Sequence, residues 1–104
     1  SFTGPDIKDY LQTYNISMAF MACTGVTMKS GLTNASAEEY ITKKAIAENA
    51  NSMILLADHS KFGRISLMTY SSMEKLDAIV TDQPLPEEYD SFCQEHGIRV
   101  MTID

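Results

Sequence analysis

The stretch Met53-Ile54-Leu55-Leu56-Ala57-Asp58-His59-Ser60-Lys61-Phe62-Gly63 sets the interpretation of the whole chain. Its five consecutive apolar residues predict a strand buried on both faces, as in the centre of a parallel sheet. An acid, a hydroxyl and a base follow directly. Ligands of open α/β sheets bind at the carboxyl ends of the strands, so Asp58, Ser60 and Lys61 are candidates for a ligand site. The alternative is structural, with Asp58 capping a turn and Lys61 a solvated surface base.

The composition indicates one domain, or part of one, with a single core. The chain has 104 residues and a formal net charge of -6, with acids spread along its length. Because acidic surfaces repel a phosphate backbone, we do not expect this piece to bind nucleic acid directly. No apolar run is long enough for a membrane helix and no signal peptide is visible, so we expect a cytoplasmic protein without a membrane partner.

The cysteines and histidines do not form a recognisable metal pattern. Cys23 and Cys93 both occur in apolar surroundings and are expected to be buried free thiols in a reducing compartment. His59 and His96 are far apart and lack cysteine or carboxylate neighbours at metal-site spacing. We therefore predict no metal and no cofactor.

Helical and extended patterns alternate along the chain. The predicted elements are a helix from Pro5, a strand over 18–22, a helix from Ser36 to about Ala50 broken by Asn51-Ser52, the central strand, an extended segment over 64–70, a helical turn at 73–76, a strand over 78–81, a helix from Pro86 to Gly97 and a strand over 98–103. Ser36 and Glu39 form a capping-box pattern, and Gly97 is a typical helix end. This alternation predicts helices covering a largely parallel sheet.

Residues 23–34 combine two glycines with several hydroxyl side chains between a strand and a helix. This composition predicts a flexible polar loop. Glycines let backbone amides approach a ligand, and hydroxyls can donate to phosphate or sugar oxygens. The glycine spacing fits neither a P-loop nor a dinucleotide-binding fingerprint.

Several segments together resemble one known family. The run from Ile54 to Gly63 resembles the "LLAD-S-SKFG" signature in the effector domain of DeoR-type bacterial transcription regulators. Further segments resemble that family in the right order, over nearly the whole chain: Ala19-Phe20 with Thr24-Gly25-Val26, then Gly31-Leu32-Thr33, Glu38-Glu39, Lys43-Lys44-Ala45, Leu76 to Asp82, and Gly97 to Val100.

The resemblance implies a fold, a domain arrangement and partners. The implied fold is α/β, a three-layer largely parallel sheet flanked by helices. It is similar to pentose-phosphate isomerases, aminosugar-phosphate deaminases and CoA transferases, and it lacks the first strand-helix unit. Residues 1–104 would be the C-terminal part of a sugar-phosphate-sensing effector domain. The N-terminal winged helix-turn-helix, absent from this chain, would bind operator DNA. A homo-oligomer is expected, because paired DNA half-sites require a symmetric protein.

The resemblance also implies an effector site for a phosphorylated sugar. Its members are Asp58, Ser60, Lys61, Thr24, Gly25, Gly31, Thr33 and Lys43. A carboxylate accepts hydrogen bonds from sugar hydroxyls, and an ammonium group donates to an anionic ligand. Lys43 could reach the ligand or pair with Glu39, its neighbour one turn earlier, and we favour the ion pair. His59 receives no role.

Two other functions compete with sensing. Related isomerases carry a similar turn and use a glutamate on the preceding helix as base. Counting back from Lys61 without gaps, that position is Lys43, which cannot act as that base, although a shifted helix could supply Glu38 or Glu39. We therefore predict no catalytic residues and a non-enzymatic sensor, part of a repressor of sugar metabolism, that controls operator binding allosterically. The alternatives are an isomerase- or deaminase-like enzyme and a pure oligomerisation module.

Overall fold

A computed structural model describes Asp9 and residues 13–103. Its helices and strands, in chain order, are β1 (Ile16–Met21), β2 (Gly25–Thr27), β3 (Gly31–Asn34), α1 (Ala37–Asn49), β4 (Ala50–Leu56), β5 (Met68–Ser71), β6 (Ala78–Thr81), α2 (Glu87–His96) and β7 (Arg99–Thr102). Short 3-10 helices lie at His59–Lys61 and Met73–Lys75. The helix predicted from Pro5 falls mostly on residues outside this description.

Four of the strands form a parallel sheet in the order β1-β4-β6-β7. The predicted central strand is β4, which pairs with β1 on one side and with β6 on the other. This sheet, together with the two helices, confirms the predicted α/β class. The helix predicted to reach about Ala50 ends at Asn49, but Asn51-Ser52 do not separate it from the central strand, because β4 already begins at Ala50. Pairing of Ala50 with Ile16 and of Ser52 with Met18 draws these residues into the strand.

Residues 23–34 do not form the flexible loop that their composition predicts. They fold into the antiparallel hairpin β2-β3, and β5 joins it to make a second, three-stranded sheet. The physical reason is burial: Val26 and Leu32 are completely inaccessible to solvent. The hydroxyl of Thr33 is used internally, since it donates to the carbonyl of Gly25 at 2.9 Å and accepts from the amide of Ser66 at 2.9 Å.

The strand order of the parallel sheet explains where its core lies. From β1 to β7 the chain advances across the sheet in one direction. Crossovers between parallel strands are right-handed, so α1 and α2 pack on the same face. Burial agrees, because Met21, Met53, Leu55 and Ile79 on that face are buried.

The opposite face of the sheet is largely open. Phe20 in β1 is 61% exposed and Leu56 in β4 is 45% exposed, although their sequence neighbours are buried. The expectation that β1 and β4 are buried on both faces is therefore wrong for these residues. Side chains alternate between the faces of a strand, and among the described residues the helices cover only one of them.

The small sheet and the helices share one core with the parallel sheet. Tyr89 of α2 packs edge-to-face against Phe62, with ring centroids 5.8 Å apart. Cys23 and Cys93 are free and buried in this core, as predicted. Neither α1 nor α2 has the length and apolar character that a membrane crossing requires.

Candidate functional site

The turn after β4 brings the predicted acid, hydroxyl and base together. Asp58 caps the short helix His59–Lys61 and accepts hydrogen bonds from both the amide (2.8 Å) and the hydroxyl of Ser60. These bonds lower the pKa of the Asp58 carboxyl. Its second oxygen lies 3.9 Å from the ammonium of Lys61, at the outer limit of an ion pair. Asp58 is thus a structural cap with one carboxylate oxygen turned toward Lys61.

Lys43 connects α1 to the carboxyl end of β1. Its ammonium donates to the carbonyl of Ala22 and to the side-chain oxygen of Asn34, both at 3.0 Å. It also lies 3.5 Å from the carboxylate of Glu39, which confirms the expected ion pair. The ring of Tyr70 lies beneath it, 5.6 Å from the nitrogen to the ring centre. Lys43 is therefore a well-bonded structural residue whose charge lies at the carboxyl end of β1.

The buried thiol of Cys23 follows the carboxyl end of β1, and its pKa is affected by burial and by charged side chains. Burial raises its pKa to about 11, and the positive charges of Lys43 and Lys61 act in the opposite direction. The negative charge of Asp58 also acts on this thiol and raises its pKa further. Lys43 thus lies at the carboxyl end of β1, and Lys61 and Asp58 lie at the carboxyl end of the neighbouring strand β4.

Thr24 and Gly25 lie next to this turn. Val26 pairs with Phe62, and the amide of Gly63 donates to the carbonyl of Val26 at 2.9 Å. A side chain at Gly25 would meet the carbonyl of Arg64, because the Cβ would lie 2.2 Å from that oxygen. The hairpin and the turn of Asp58 therefore pack against each other through backbone contacts.

The other two predicted site residues in the hairpin, Gly31 and Thr33, have structural roles. Gly31 faces Thr27 at the far end of the hairpin, with a φ of 75°, and contacts the backbone of Ser71. Thr33 is buried and satisfied by the bonds described above. Both shape the hairpin, and neither presents a free group at the turn of Asp58.

His59 and Asp82 form a contact that the sequence interpretation missed. The amide of His59 donates to Asp82 at 2.7 Å, and the imidazole Nδ1 lies 2.9 Å from the other carboxylate oxygen. The hydrogen bond from His59 lowers the pKa of Asp82. The sequence did contain a signal for this contact. Asp58 and Asp82 each follow closely on an apolar strand, and the two strands, β4 and β6, are neighbours in the sheet. The contact ties the turn after β4 to the end of β6.

An open groove of about 310 Å³ runs beside these two acids. Leu56, Val80 and Ile103 form most of its floor, and Asp58 and Asp82 lie at its rim. Among residues 13–103, no three histidine, cysteine or acidic side chains are grouped so that they could hold a metal ion. The chemistry that the site offers is hydrogen bonding and charge.

Comparison with known proteins places this chain in a family. The model of the DeoR C terminal sensor domain matches residues 1–83. The HTH-type transcriptional regulator IolR of Bacillus subtilis is 50% identical over 96% of this chain and 40% of that protein. The HTH-type transcriptional regulator GlpR of Haloferax volcanii is 28% identical over 97% of this chain and 40% of that protein. The Glycerol-3-phosphate regulon repressor of Escherichia coli is 29% identical over 93% of this chain and 38% of that protein.

The chain spans about two fifths of the length of these curated relatives. The first two are named as transcriptional regulators and the third as a regulon repressor, and the matching family model is that of a sensor domain, which confirms the predicted sensor domain of a regulator. This chain belongs to the family of DeoR C-terminal sensor domains.

Proposed function

We propose that residues 1–104 are the C-terminal part of the effector-sensing domain of a cytoplasmic repressor of sugar metabolism. The effector is a phosphorylated sugar, and the operator is bound by a winged helix-turn-helix elsewhere on the same polypeptide. The names of the relatives support this proposal, since they describe helix-turn-helix regulators and, for the Escherichia coli protein, a regulon of a phosphorylated polyol.

The placement of Lys43, Lys61 and Asp58 at the carboxyl ends of the neighbouring strands β1 and β4 carries the proposal. An ammonium group binds a phosphate as a point charge, and a carboxylate accepts from sugar hydroxyls. Both kinds of group lie at the carboxyl ends of β1 and β4, in a chain whose formal net charge is -6.

The bonds already made by each residue suggest a division of roles. Lys43 is engaged by Ala22, Asn34 and Glu39, whereas Lys61 has a long contact with Asp58 and a partly exposed side chain. We assign the direct contact with the anion to Lys61 and a supporting charge to Lys43.

The hydroxyl and glycine candidates have secondary roles in this proposal. Ser60 fixes Asp58 through two hydrogen bonds, so it orients the carboxylate toward the ligand. Thr24 and Gly25 form the adjacent wall, and Gly31 and Thr33 hold the hairpin in shape.

Regulation would follow from a difference in affinity. The effector shifts the regulator between two arrangements only as far as it binds one of them more tightly. A symmetric homo-oligomer would transmit this shift to paired half-sites on the operator.

Calorimetry on the full-length regulator tests the proposal. A panel of sugar phosphates is titrated against the wild type and the Lys61→Ala variant, with the unphosphorylated sugars in parallel. Loss of one charged hydrogen bond is expected to weaken binding by about 1.5–3 kcal/mol, or roughly 10- to 150-fold. The matched control is Lys29→Ala, because Lys29 is exposed at the far end of the hairpin and should bind like the wild type.

Two results would contradict the sensor assignment. Equal binding of sugars with and without phosphate would show that the two lysines do not recognise a phosphate group. Conversion of the bound ligand into product would indicate an enzyme.

A further inference from the structure

Residues 58–63 follow β4 and carry two of the charged groups, Asp58 and Lys61, that the proposed function assigns to the effector. We call these residues the effector turn. The ammonium of Lys61 has only a long contact within the turn, 3.9 Å from the carboxylate of Asp58. Its position therefore depends on how the main chain of the effector turn is held.

The end of the effector turn is held by main-chain contacts with the hairpin. Phe62 pairs with Val26 in β2, and the amide of Gly63 donates to the carbonyl of Val26 at 2.9 Å. Val26 is completely buried, so this end of the turn is anchored in the core. These contacts leave the beginning of the turn to be fixed by other groups.

The beginning of the effector turn is capped by two carboxylates. His59 and Ser60 open a short 3-10 helix, and the first amides of a helix have no acceptor within it. The carboxylate of Asp58 accepts from the amide of Ser60 at 2.8 Å, and that of Asp82 accepts from the amide of His59 at 2.7 Å. Of these two caps, only Asp82 comes from a different part of the sheet, the end of β6.

The imidazole of His59 makes a second contact with the same carboxylate. Its Nδ1 lies 2.9 Å from Oδ2 of Asp82, whereas Oδ1 accepts from the amide. The side-chain hydrogen bond from His59 lowers the pKa of the Asp82 carboxyl, which favours the ionised form that accepts both bonds. The carboxylate thus holds His59 by its main chain and its side chain together.

Asp82 is well placed to act as an anchor, because its own position is fixed by the sheet. It follows Thr81, which is buried, ends β6 and pairs with Thr102 of β7. The amide of Ile103 donates to the carbonyl of Thr81 at 2.9 Å. Since β6 lies between β4 and β7, an inner strand of the sheet presents the carboxylate.

The charge of Asp82 is unfavourable beside a site for an anion, because like charges repel. The two aspartates also act on each other. Hydrogen bonds from Ser60 lower the pKa of the Asp58 carboxyl, and the negative charge of Asp82 acts in the opposite direction. Attraction of phosphate therefore does not explain a carboxylate at position 82, whereas its two bonds to His59 do.

We propose that Asp82 and His59 are positioning residues, which hold the effector turn so that Lys61 meets the anion. This inference rests on the proposed function, in which Lys61 contacts the phosphate. Both oxygens of Asp82 are engaged by His59, so Asp82 acts through the turn and not through the ligand. The family resemblance gives His59 no role, and this contact supplies one.

Phosphate binding by the full-length regulator tests the proposal. Inorganic phosphate is the probe, followed by ³¹P NMR, because it has no sugar hydroxyls that could donate to Asp82 directly. Asp82→Ala removes both bonds to His59 together with a negative charge. Loss of repulsion alone would strengthen phosphate binding, whereas loss of positioning weakens it. We expect binding to become about 3- to 10-fold weaker, the effect of one or two hydrogen bonds.

Three further variants separate geometry from charge. Asp82→Asn removes the charge but keeps an oxygen for the amide of His59, so it should bind phosphate at least as tightly as the wild type. His59→Ala keeps the amide bond and loses only the imidazole bond, so its loss should be smaller than that of Asp82→Ala. Glu48→Ala is the control, because it removes an equal charge from an exposed position in the last turn of α1 and should bind like the wild type.

Hydrogen exchange followed by mass spectrometry tests the positioning without any ligand. In Asp82→Ala the peptide over residues 57–63 should exchange about 3- to 10-fold faster, because the amide of His59 loses its acceptor. Asp82→Asn should exchange like the wild type. Peptides from α2 should be unchanged in every variant, since exposed pairs such as His59 and Asp82 add little to global stability.

Three results would overturn the positioning role. These are phosphate binding in Asp82→Ala that is equal to or tighter than that of the wild type, unchanged exchange in the effector turn, and faster exchange throughout the protein. Failure of the wild type itself to bind phosphate or sugar phosphates would instead refute the proposed function. The exchange measurement would then still decide whether Asp82 and His59 hold the turn.

Discussion

Lys43 and Lys44 are adjacent in the sequence and have different surroundings. Lys43 is bonded to Ala22, Asn34 and Glu39 and is mostly shielded from solvent. Lys44 is exposed, and its ammonium contacts the hydroxyl of Tyr40 at 3.1 Å, which raises the pKa of Lys44. The sequence pattern "KK" alone does not distinguish them, so the pair offers an internal comparison of structural and surface lysines.

We predict that Lys43→Met lowers the free energy of unfolding by about 2 kcal/mol, because the carbonyl of Ala22 and the amide oxygen of Asn34 lose their donor. Lys44→Met should change stability by less than about 0.5 kcal/mol, as is usual for exposed positions. Urea denaturation of the three proteins gives both values. Equal effects of the two substitutions would show that the Lys43 network does not stabilise the fold.

The raised pKa of Cys23 predicts a loss of stability at alkaline pH. In the folded state the thiol titrates at about 11 instead of 9.0, so the unfolded thiol loses its proton first as the pH rises. The contribution is fully present below pH 9 and disappears between about pH 9 and pH 11. Two pKa units correspond to about 3 kcal/mol.

Chemical denaturation from pH 8 to pH 11 measures this change. In Cys23→Ala the curve should fall less steeply, because the titrating thiol is absent while the lysines and tyrosines still titrate. Parallel curves for the two proteins would show that the thiol of Cys23 is not held in a desolvated environment.

The hairpin β2-β3 is the element in which local and tertiary effects differ most. Residues 23–34 have the composition of a loop, yet burial of Val26 and Leu32 and pairing with β5 make them a sheet. Glycines in this hairpin and at the end of α2 are required for different reasons. Gly25 allows close backbone approach, whereas Gly97 ends α2 with a positive φ of 69° and open space around it.

We predict that Gly25→Ala destabilises the protein more than Gly97→Ala does. The Cβ at position 25 would lie 2.2 Å from the carbonyl oxygen of Arg64, so backbone must move, whereas position 97 has only conformational strain. Strain of this kind amounts to about 1–2 kcal/mol per residue. Thermal unfolding followed by circular dichroism ranks the two variants, and the reverse order would mean that β2 does not pack against Arg64 as described.

At the scale of the whole molecule, effector binding should stabilise the regulator. A ligand at 100 times its dissociation constant adds about 2.7 kcal/mol to the folded state, which raises Tm by several degrees. Differential scanning fluorimetry with matched phosphorylated and unphosphorylated sugars measures this shift. At the same ligand concentration the shift should shrink in Lys61→Ala, where 10- to 150-fold weaker binding leaves about 0.3–1.4 kcal/mol, and persist in full in Lys29→Ala. A shift that is equal in both variants would place the effector elsewhere on the molecule.

The amino-acid sequence by itself determined the helices, the strands of the parallel sheet and the family of this protein. The cap of α1 by Ser36, its ion pair between Glu39 and Lys43, and the end of α2 at Gly97 all involve residues within four positions of each other. The apolar runs of β4 and β6 can likewise be recognised from their composition. Such features depend on neighbouring residues, which is why periodicity and turn chemistry predict them.

Only the tertiary structure decided how these elements meet. The hydroxyl of Tyr70 reaches the carbonyl of Ala22 across 48 positions, and His59 reaches Asp82 across 23. The strand order that leaves one face of the sheet open is equally invisible in local patterns. Contacts of this kind depend on strand register and on the handedness of the crossovers, and both are set by packing the whole chain around one core.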